Sequence, residues 1–474
     1  MSNKLTLSAS DRISSLLDEA SFVEVGAYVT ARSTDFNMQE NDTPKDGVIT
    51  GYGVINGKLV YVYSQDATVL GGAIGEMHAK KIAKIYDMAM KVGAPVIGLI
   101  DCAGLRLQEA TDALNAFGEV YLKQTLASGV IPQVTAIFGT CGGGAALIPT
   151  LTDFTFMTAE GGKLFVNSPN ALDGNYQAKL DTASADYLSK NSSLIDGVYE
   201  DDATTLAEIR NLVDMLPDNN MDYAEADCAD DLNRIIPNLD GFAKDARAVL
   251  QNIADNNVFV EIKKDYAKDM VLGLIKLNGV TVGCVANQVN DGGDLLSTSG
   301  AYIAADFVKF CDAFNIPVLT LVNAKGFVAT VSNERTIADA AAKLTYAYAS
   351  ATVPKVTVVM GDAFGTAYTI MNSKAIGADM VYAWPCAKIG TMDPEMAVKI
   401  MYEKEIAQAE DKVSVIAEKK KTYTELQSSA LAAAKRGYID DIIEPDATRK
   451  RVIAAFEMLA TKNEERPFKK HGAV

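Results

Sequence analysis

Shifting the chain by 222 positions lays its strongest local signals over one another without a gap, so any fold it adopts is expected to be built twice. Asn56-Gly57 falls on Asn278-Gly279, Pro95-Val96 on Pro317-Val318, Gly104 on Gly326 and Pro132 on Pro354. Val134-Thr135 falls on Val356-Thr357, Gly139 on Gly361 and Gly143 on Gly365. Each copy reads alike. Two β-rich segments meet at an Asn-Gly hairpin turn, and a helical stretch follows at 75–90 and 302–314. A buried strand then starts after a proline (PVIGLID, PVLTLVN), and a second helix leads to another (QVTAIFG, KVTVVMG). Near-continuous apolar strands alternating with helices predict α/β layers, with chemistry at the carboxyl ends of the strands. A length of 474 residues with 49% hydrophobic content suffices for two such domains, expected at 1–230 and 231–474 with the join in the acidic stretch 219–238.

Composition removes several functions. With 61 acidic against 44 basic residues the net charge is −17, which repels nucleic-acid phosphates and anionic lipid. Two histidines and six scattered cysteines, with no CxxC or HExxH, leave little material for a His/Cys metal site. The start, MSNKLTLSASDR, has no apolar core behind basic residues, and the cysteines sit mostly in apolar runs, so a cytoplasmic protein with reduced thiols is expected. Residues 128–152 carry no charge, yet Pro132, Gln133 and Gly142–Gly144 interrupt them; a strand, a glycine turn and a helix start are expected there rather than a membrane span.

The two glycine turns, FGTCGGGAALIP and MGDAFGTAYTIM, are the candidate chemistry. Glycine lets a carbonyl oxygen approach bare N–H groups at a helix start, which is how an oxyanion hole is made. One such turn alone equally serves tight strand-to-helix packing, but the paired placement of Gly143 and Gly365 favours function. No GxSxG, P-loop or GxGxxG accompanies them, which removes support for hydride and phosphoryl transfer.

The stretches DGVITGYGVINGKLVYVYSQDATVLGGAIGEMHAKKIAKIYDMAMKVGAPVIGLID, VIPQVTAIFGTCGGGAALIPTLTDFTFM, FVKFCDAFNIPVLTLVNAKGF and YAYASATVPKVTVVMGDAFGTAYTIMNSKAIGADMVYAWP resemble the carboxyltransferase subunit of biotin-dependent acyl-CoA carboxylases, transcarboxylases and decarboxylases. The resemblance runs over nearly the whole chain. It implies an α/β fold of two tandem crotonase-like ββα-superhelix domains, the first serving acyl-CoA and the second biotin. It also implies transfer of a carboxyl group between biotin N1, on a separate carrier protein or domain, and the α-carbon of a short acyl-CoA of the propionyl-CoA/methylmalonyl-CoA class. Amides at Gly143 and Gly144 then hold the thioester oxygen, and those at Thr366 and Ala367, beside Gly365, hold the ureido oxygen. Gly71, Gly72, Gly104, Leu105, Arg106 and Thr369 fall at substrate-binding positions. Further implications are coenzyme A as part of the substrate, no metal, a biotin carboxyl carrier protein as partner, a biotin carboxylase or a membrane decarboxylase subunit beside it, and a homohexamer whose active sites join domains of different subunits.

The chain departs from the family pattern in places. Ser-Gly-Gly-Ala-Arg is replaced by Cys102-Ala103-Gly104-Leu105-Arg106, Asp-x-Pro-Gly-Phe by Asn323-Ala324-Lys325-Gly326-Phe327, and Arg-His-Gly-Ala-Lys by Asp339-Ala340-Ala341-Ala342-Lys343. Gly-Gly-Ala becomes Gly365-Thr366-Ala367, and Thr369 stands where propionyl-CoA enzymes carry Asp. Among side chains, His78 is weighed as a base against a structural role, and Lys80 and Lys81 with Arg106 as CoA-phosphate ligands against a solvated helix face. Cys141 is weighed as an activated thiol against a buried apolar residue, the latter preferred; EKKKTYTE near 420 reads as a solvated face, and His471 belongs to a fraying tail. The alternatives are the α-subunit of a sodium-pumping methylmalonyl-CoA or glutaconyl-CoA decarboxylase, an inactive acyl-CoA-binding scaffold, and a hydratase or isomerase using Glu109 or Glu119. Genes for a membrane subunit or a biotin carboxylase nearby, or a turnover assay beside a binding assay, separate them.

Overall fold

The computed structural model describes residues 6–467 and Gly472; His471 lies outside the described residues. The chain divides into two compact units, Met1–Ala224 and Glu225–Val474. The division falls inside the acidic stretch and a few residues ahead of 230, for a visible reason. The Asn220 N–H still bonds the Val130 carbonyl in the first unit, whereas Glu225 bridges to Val280 and the Ala226 N–H bonds the Gly279 carbonyl in the second.

In the first unit the Asn-Gly hairpin joins β1 (Val48–Ile55) to β2 (Lys58–Gln65), with Asn56 and Gly57 both at positive φ, the conformation a tight hairpin turn needs. α1 (Glu76–Val92) crosses over to β3 (Val96–Cys102), and α2 (Ala110–Ala127) to β4 (Gln133–Gly142). The sheet runs Val23–Glu24, β1, β2, β3, β4, Phe154–Thr158, Gly197–Tyr199, with Lys163–Phe165 added on the far part of β4. Only the pairings at the β1 end are antiparallel, as crossover helices require of the rest.

The second unit repeats this plan. β5 (Met270–Leu277) and β6 (Val280–Asn287) form the hairpin, with Asn278 and Gly279 again at positive φ. α3 (Thr298–Ala313), β7 (Val318–Ala324), α4 (Ile337–Ser350) and β8 (Lys355–Phe364) follow. The repeat extends to register: Tyr61 opposite Val96 becomes Gly283 opposite Val318, and Val96 opposite Gln133 becomes Val318 opposite Lys355. Each unit has its own core, around Tyr63, Ile82 and Ile137 in the first and Val282, Leu319 and Trp384 in the second. The uncharged stretch 128–152 is the buried strand and glycine turn expected, and among the described residues no helix is long and apolar enough to cross a membrane. Cys102, Cys141, Cys284 and Cys311 are buried, and Cys228 and Cys386 more open, all as free thiols.

Candidate active site

Both units shape their carboxyl edge by one device. The register of β3 on β4 slips between Ile100 and Cys102, and that of β7 on β8 slips between Val322 and Ala324. Such an irregularity re-aims one side chain. In the first unit it is Asp101, whose Oδ1 accepts the Thr140 N–H at 3.3 Å while its own N–H donates to Gln65 Oε1 at 3.2 Å. In the second it is Asn323, whose Oδ1 accepts the Asp362 N–H and whose N–H donates to Asn287 Oδ1, both at 3.1 Å. Gly139 and Gly361 are required there, because a Cβ would run into Asp101 or Asn323. Arg12 partners the carboxylate of Asp101 at 3.7 Å, whereas the uncharged Asn323 donates to the Ala243 carbonyl at 2.8 Å.

Just beyond this device the chain turns at Gly143 (φ +63°) and at Gly365 (φ +62°). Gly143 opens a turn of 3₁₀ helix, Gly143–Ala146, that passes into Leu147–Thr150; Gly365 opens α5 (Gly365–Ile370). First-turn N–H groups have no acceptor within their own helix, which holds for those of Gly143, Gly144, Thr366 and Ala367, although Ala367 itself is buried. Gly144 and Thr366 are exposed, and no atom lies within 4 Å of where a Gly143 Cβ would stand. Tyr121 on α2 donates its hydroxyl to the Gly144 carbonyl at 2.6 Å, which fixes the turn.

The other expected positions of the first unit gather at the same edge. Ala103 donates its N–H to the Gly71 carbonyl at 3.0 Å, Gly72 lies against the Asp101 backbone, and Gly104 approaches the Gly142 carbonyl; Leu105 bridges to Ile74. Arg106 is corrected: only 1% of its side chain is exposed, so it meets no solvent-borne phosphate. It is held by Asp46 at 2.5 Å and Glu109 at 2.7 Å, and it donates to the Ala73 carbonyl at 2.9 Å. Those carboxylates in turn accept the Glu76 and His78 N–H groups at the start of α1, which Gly75 does not cap. Arg106 therefore pins the 103–109 loop to a helix N-terminus, and Glu109 is committed to the same cluster.

The remaining side chains of this edge are structural. His78 is fully buried; its Nδ1 contacts the Asp46 carbonyl at 2.9 Å and its Nε2 the Gln65 amide nitrogen at 3.1 Å. Burial, helped by Arg106, pushes it down to about 3, so it stays neutral and enclosed. Lys81 is buried too, donating to the Lys45 and Val48 carbonyls, and Lys80 pairs with Glu76, so Lys81 corrects the expected solvated face. The Cys141 thiol donates to the Ala145 carbonyl at 3.3 Å, and burial pushes it up, away from a thiolate. The run near 420 lies on α6 (Lys412–Tyr423), which buries no residue and pairs Lys419 with Glu405 and Lys420 with Glu395.

In the second unit Thr366 and Thr369 line a cleft of about 530 Å³ with Ile389, Tyr423, Arg436 and Tyr438. Thr369 turns its hydroxyl onto the Gly365 carbonyl at 3.3 Å. Tyr121, Tyr423 and Arg436 carry no sequence signal, because each reaches its turn from an element distant in the chain. Among the described residues no group of His, Cys, Asp and Glu is placed to hold a metal.

Two copies of one α/β domain thus each end in a glycine turn at a helix start, an arrangement able to present backbone N–H groups to an oxygen that gains negative charge. The carboxyl transferase domain model matches residues 3–474, and on that match the chain belongs to the carboxyl transferase domain family, with the tandem crotonase-like fold expected. It is 42% identical over 485 residues to the methylmalonyl-CoA decarboxylase subunit alpha of Propionigenium modestum, covering 100% of this chain and 93% of the relative. It is 43% identical over 480 residues to the propionyl-CoA carboxylase beta chain of Roseobacter denitrificans, covering 99% and 93%. The crystal structure of transcarboxylase 12S, a hexamer with hydrolysed methylmalonyl-coenzyme A bound, superposes with a TM-score of 0.93 at 38% identity, covering 98% of this chain and 92% of that one.

Proposed function

We propose that this enzyme moves a carboxyl group between biotin and the α-carbon of a short acyl-CoA of the propionyl-CoA/methylmalonyl-CoA class, as one subunit of a homohexamer in the cytoplasm. The observation that carries the reading is the matched pair of turns at Gly143 and Gly365, on a chain more than 40% identical to both a carboxylase and a decarboxylase subunit. The first unit, near 1–230, takes acyl-CoA and the second, near 231–474, takes biotin.

The Gly143 and Gly144 amides receive the thioester oxygen as it gains enolate charge, and the Tyr121 hydroxyl keeps that turn from rotating away. Donors fixed in place need no reorganisation as charge develops, and neutral, enclosed His78 does not reach the α-carbon as a base. Gly71, Gly72, Gly104 and Leu105 shape the wall on the acyl-CoA side, and Arg106 acts from beneath as the pin of that wall. Arg32 and Lys80 share the single carboxylate of Glu76 at the start of α1 and so leave one positive charge there for coenzyme A phosphates.

The residues of the second turn suit biotin: a cleft of about 530 Å³ with Ile389, Tyr423 and Tyr438 as walls admits a bicyclic ring, and the Thr366 and Ala367 amides suit a ureido oxygen. Biotin, on a separate carrier protein, supplies the nitrogen on which the carboxyl group travels. Thr366 leaves the backbone donors intact while narrowing the mouth of the cleft.

A decarboxylase α-subunit working beside a membrane partner is the second reading, favoured by the match to the Propionigenium modestum subunit over the full chain. The deciding experiment is carboxyl transfer from methylmalonyl-, malonyl- and glutaconyl-CoA to a biotinylated carrier. Turnover of methylmalonyl-CoA is expected; no turnover of any of them overturns the reading. Co-purification with a membrane protein or with a biotin carboxylase then separates the two assemblies.

A further inference from the structure

The cleft of the second unit holds one charged side chain, Arg436, and it faces no opposite charge. Its hydrogen bonds all go to neutral acceptors: Nη1 to the Ala432 carbonyl at 2.8 Å, Nη2 to the Leu426 carbonyl at 2.8 Å and to Gln427 Oε1 at 3.3 Å. Among the described residues no carboxylate pairs with it, although acids outnumber bases in this chain by 61 to 44. Arg210, Arg234, Arg247, Arg449 and Arg451 each hold an Asp or Glu, whereas Arg436, which lines the cleft, does not.

Its position is built rather than incidental. Arg436 follows α7 (Ala430–Lys435), and the Leu426 carbonyl and Gln427 side chain reach it from the π-helical turn Thr424–Ser428 that ends α6. A π turn widens the helix and turns a carbonyl off its usual axis, and such turns gather at functional sites. Three acceptors fix the guanidinium plane, and a guanidinium carries five N–H donors, so two remain for a ligand. The two left are the Nε–H and one Nη1–H, and a positive charge with spare donors attracts a carboxylate; in a cleft without acids that attraction is not already taken.

We propose that Arg436 recognises the transferable carboxylate itself, so that this cleft prefers the carboxylated cofactor to the uncharged one. The inference rests on the biotin-side reading of the second turn. Arg436 acts as a specificity-determining residue: the amides of Thr366 and Ala367 receive the ring oxygen, and Arg436 receives the charge beside it. Discrimination follows from charge, because ring contacts are common to both forms.

The test is equilibrium binding by calorimetry with two probes that differ by a charge, N1-carboxybiotin amide and its neutral N1-methoxycarbonyl ester. The amide removes the carboxylate of the biotin side arm, which would otherwise offer Arg436 a second anion. The intact enzyme is expected to bind the anion about tenfold more tightly than the ester, the scale of one charge-assisted hydrogen-bonding pair. Arg436→Gln should erase that preference while binding the ester as before, and Arg436→Lys should keep part of it. Unchanged affinity for the ester shows that the variant is folded, and a variant that bound neither probe would be replaced by Arg436→Lys at rising ionic strength, where the preference should fall. A preference that survives in Arg436→Gln, or that the intact enzyme lacks, overturns the proposal. An intact enzyme that binds neither probe overturns the biotin-side reading itself.

Discussion

Gly143 stands at φ +63° with empty space where a side chain would begin, so a substitution there is strained and also fills the volume proposed for the thioester. Gly143→Val is expected to lower kcat/KM for acyl-CoA by about 100-fold or more, the loss typical of an oxyanion donor, with the far-ultraviolet circular dichroism unchanged. Tyr121→Phe removes the 2.6 Å bond to the Gly144 carbonyl and should lower kcat by roughly 5–10-fold with little change in KM, since only the turn's orientation is released. His78 makes a pH prediction. Burial lowers it to about 3, while in the unfolded chain it titrates near 6.5, so the unfolded state alone takes the proton between those values. Its contribution to stability is complete above about pH 6.5 and is lost as the pH falls toward 3. Urea titrations should show His78→Gln losing less stability than the parent between pH 7 and 4.5, by about 2 kcal/mol. Asp46, Arg106 and Lys81, which surround the ring, are common to both proteins. The glycine turn and a structural role for His78 were legible in the sequence, whereas the burial of Lys81 beside it was not, because Lys80 and Lys81 in succession read as a solvated helix face.

At the scale of elements, hairpins, buried strands and glycine turns were readable because their signals are local: an Asn-Gly pair, an apolar run after proline, small residues after a strand. The first helix ends where Gly93 adopts φ +69°, close to its expected end. α3 begins at Thr298, before the expected 302, because Ser297 caps it by accepting the Gly300 N–H at 2.9 Å and is itself held by Asp269. That anchor comes from a residue before the hairpin, which periodicity does not register. α2 carries a glycine at 118 with no atom within 4 Å of its would-be Cβ. Gly118→Ala should therefore raise stability by about 1 kcal/mol, read as a higher Tm, without altering turnover.

The whole molecule sets its own conditions on the chemistry. A net charge of −17 opposes the approach of coenzyme A, so substrate has to be drawn by local groups such as Arg32 and Lys80 rather than by the overall field. Exposed apolar side chains, among them Leu114, Leu122 and Leu126 on α2 and Met396 and Ile400 on Pro394–Met401, are surfaces that contact with another copy would cover. Light scattering is expected to give six times the 50.6 kDa chain mass, and a persistent monomer would contradict the proposed hexamer.

By itself the sequence determined that one α/β plan is used twice, with matching strands and matching turns, because those properties depend on neighbours in the chain and recur at one fixed offset. Only the tertiary structure decided which charges are spent on holding the fold and which are left for a ligand. Arg106 is tied to Asp46, 60 residues away, and Lys81 to carbonyls more than 30 residues before it, while Arg436 meets no acid. A side chain's chemistry is written locally, but its burial and its partners are fixed by segments that only folding brings together.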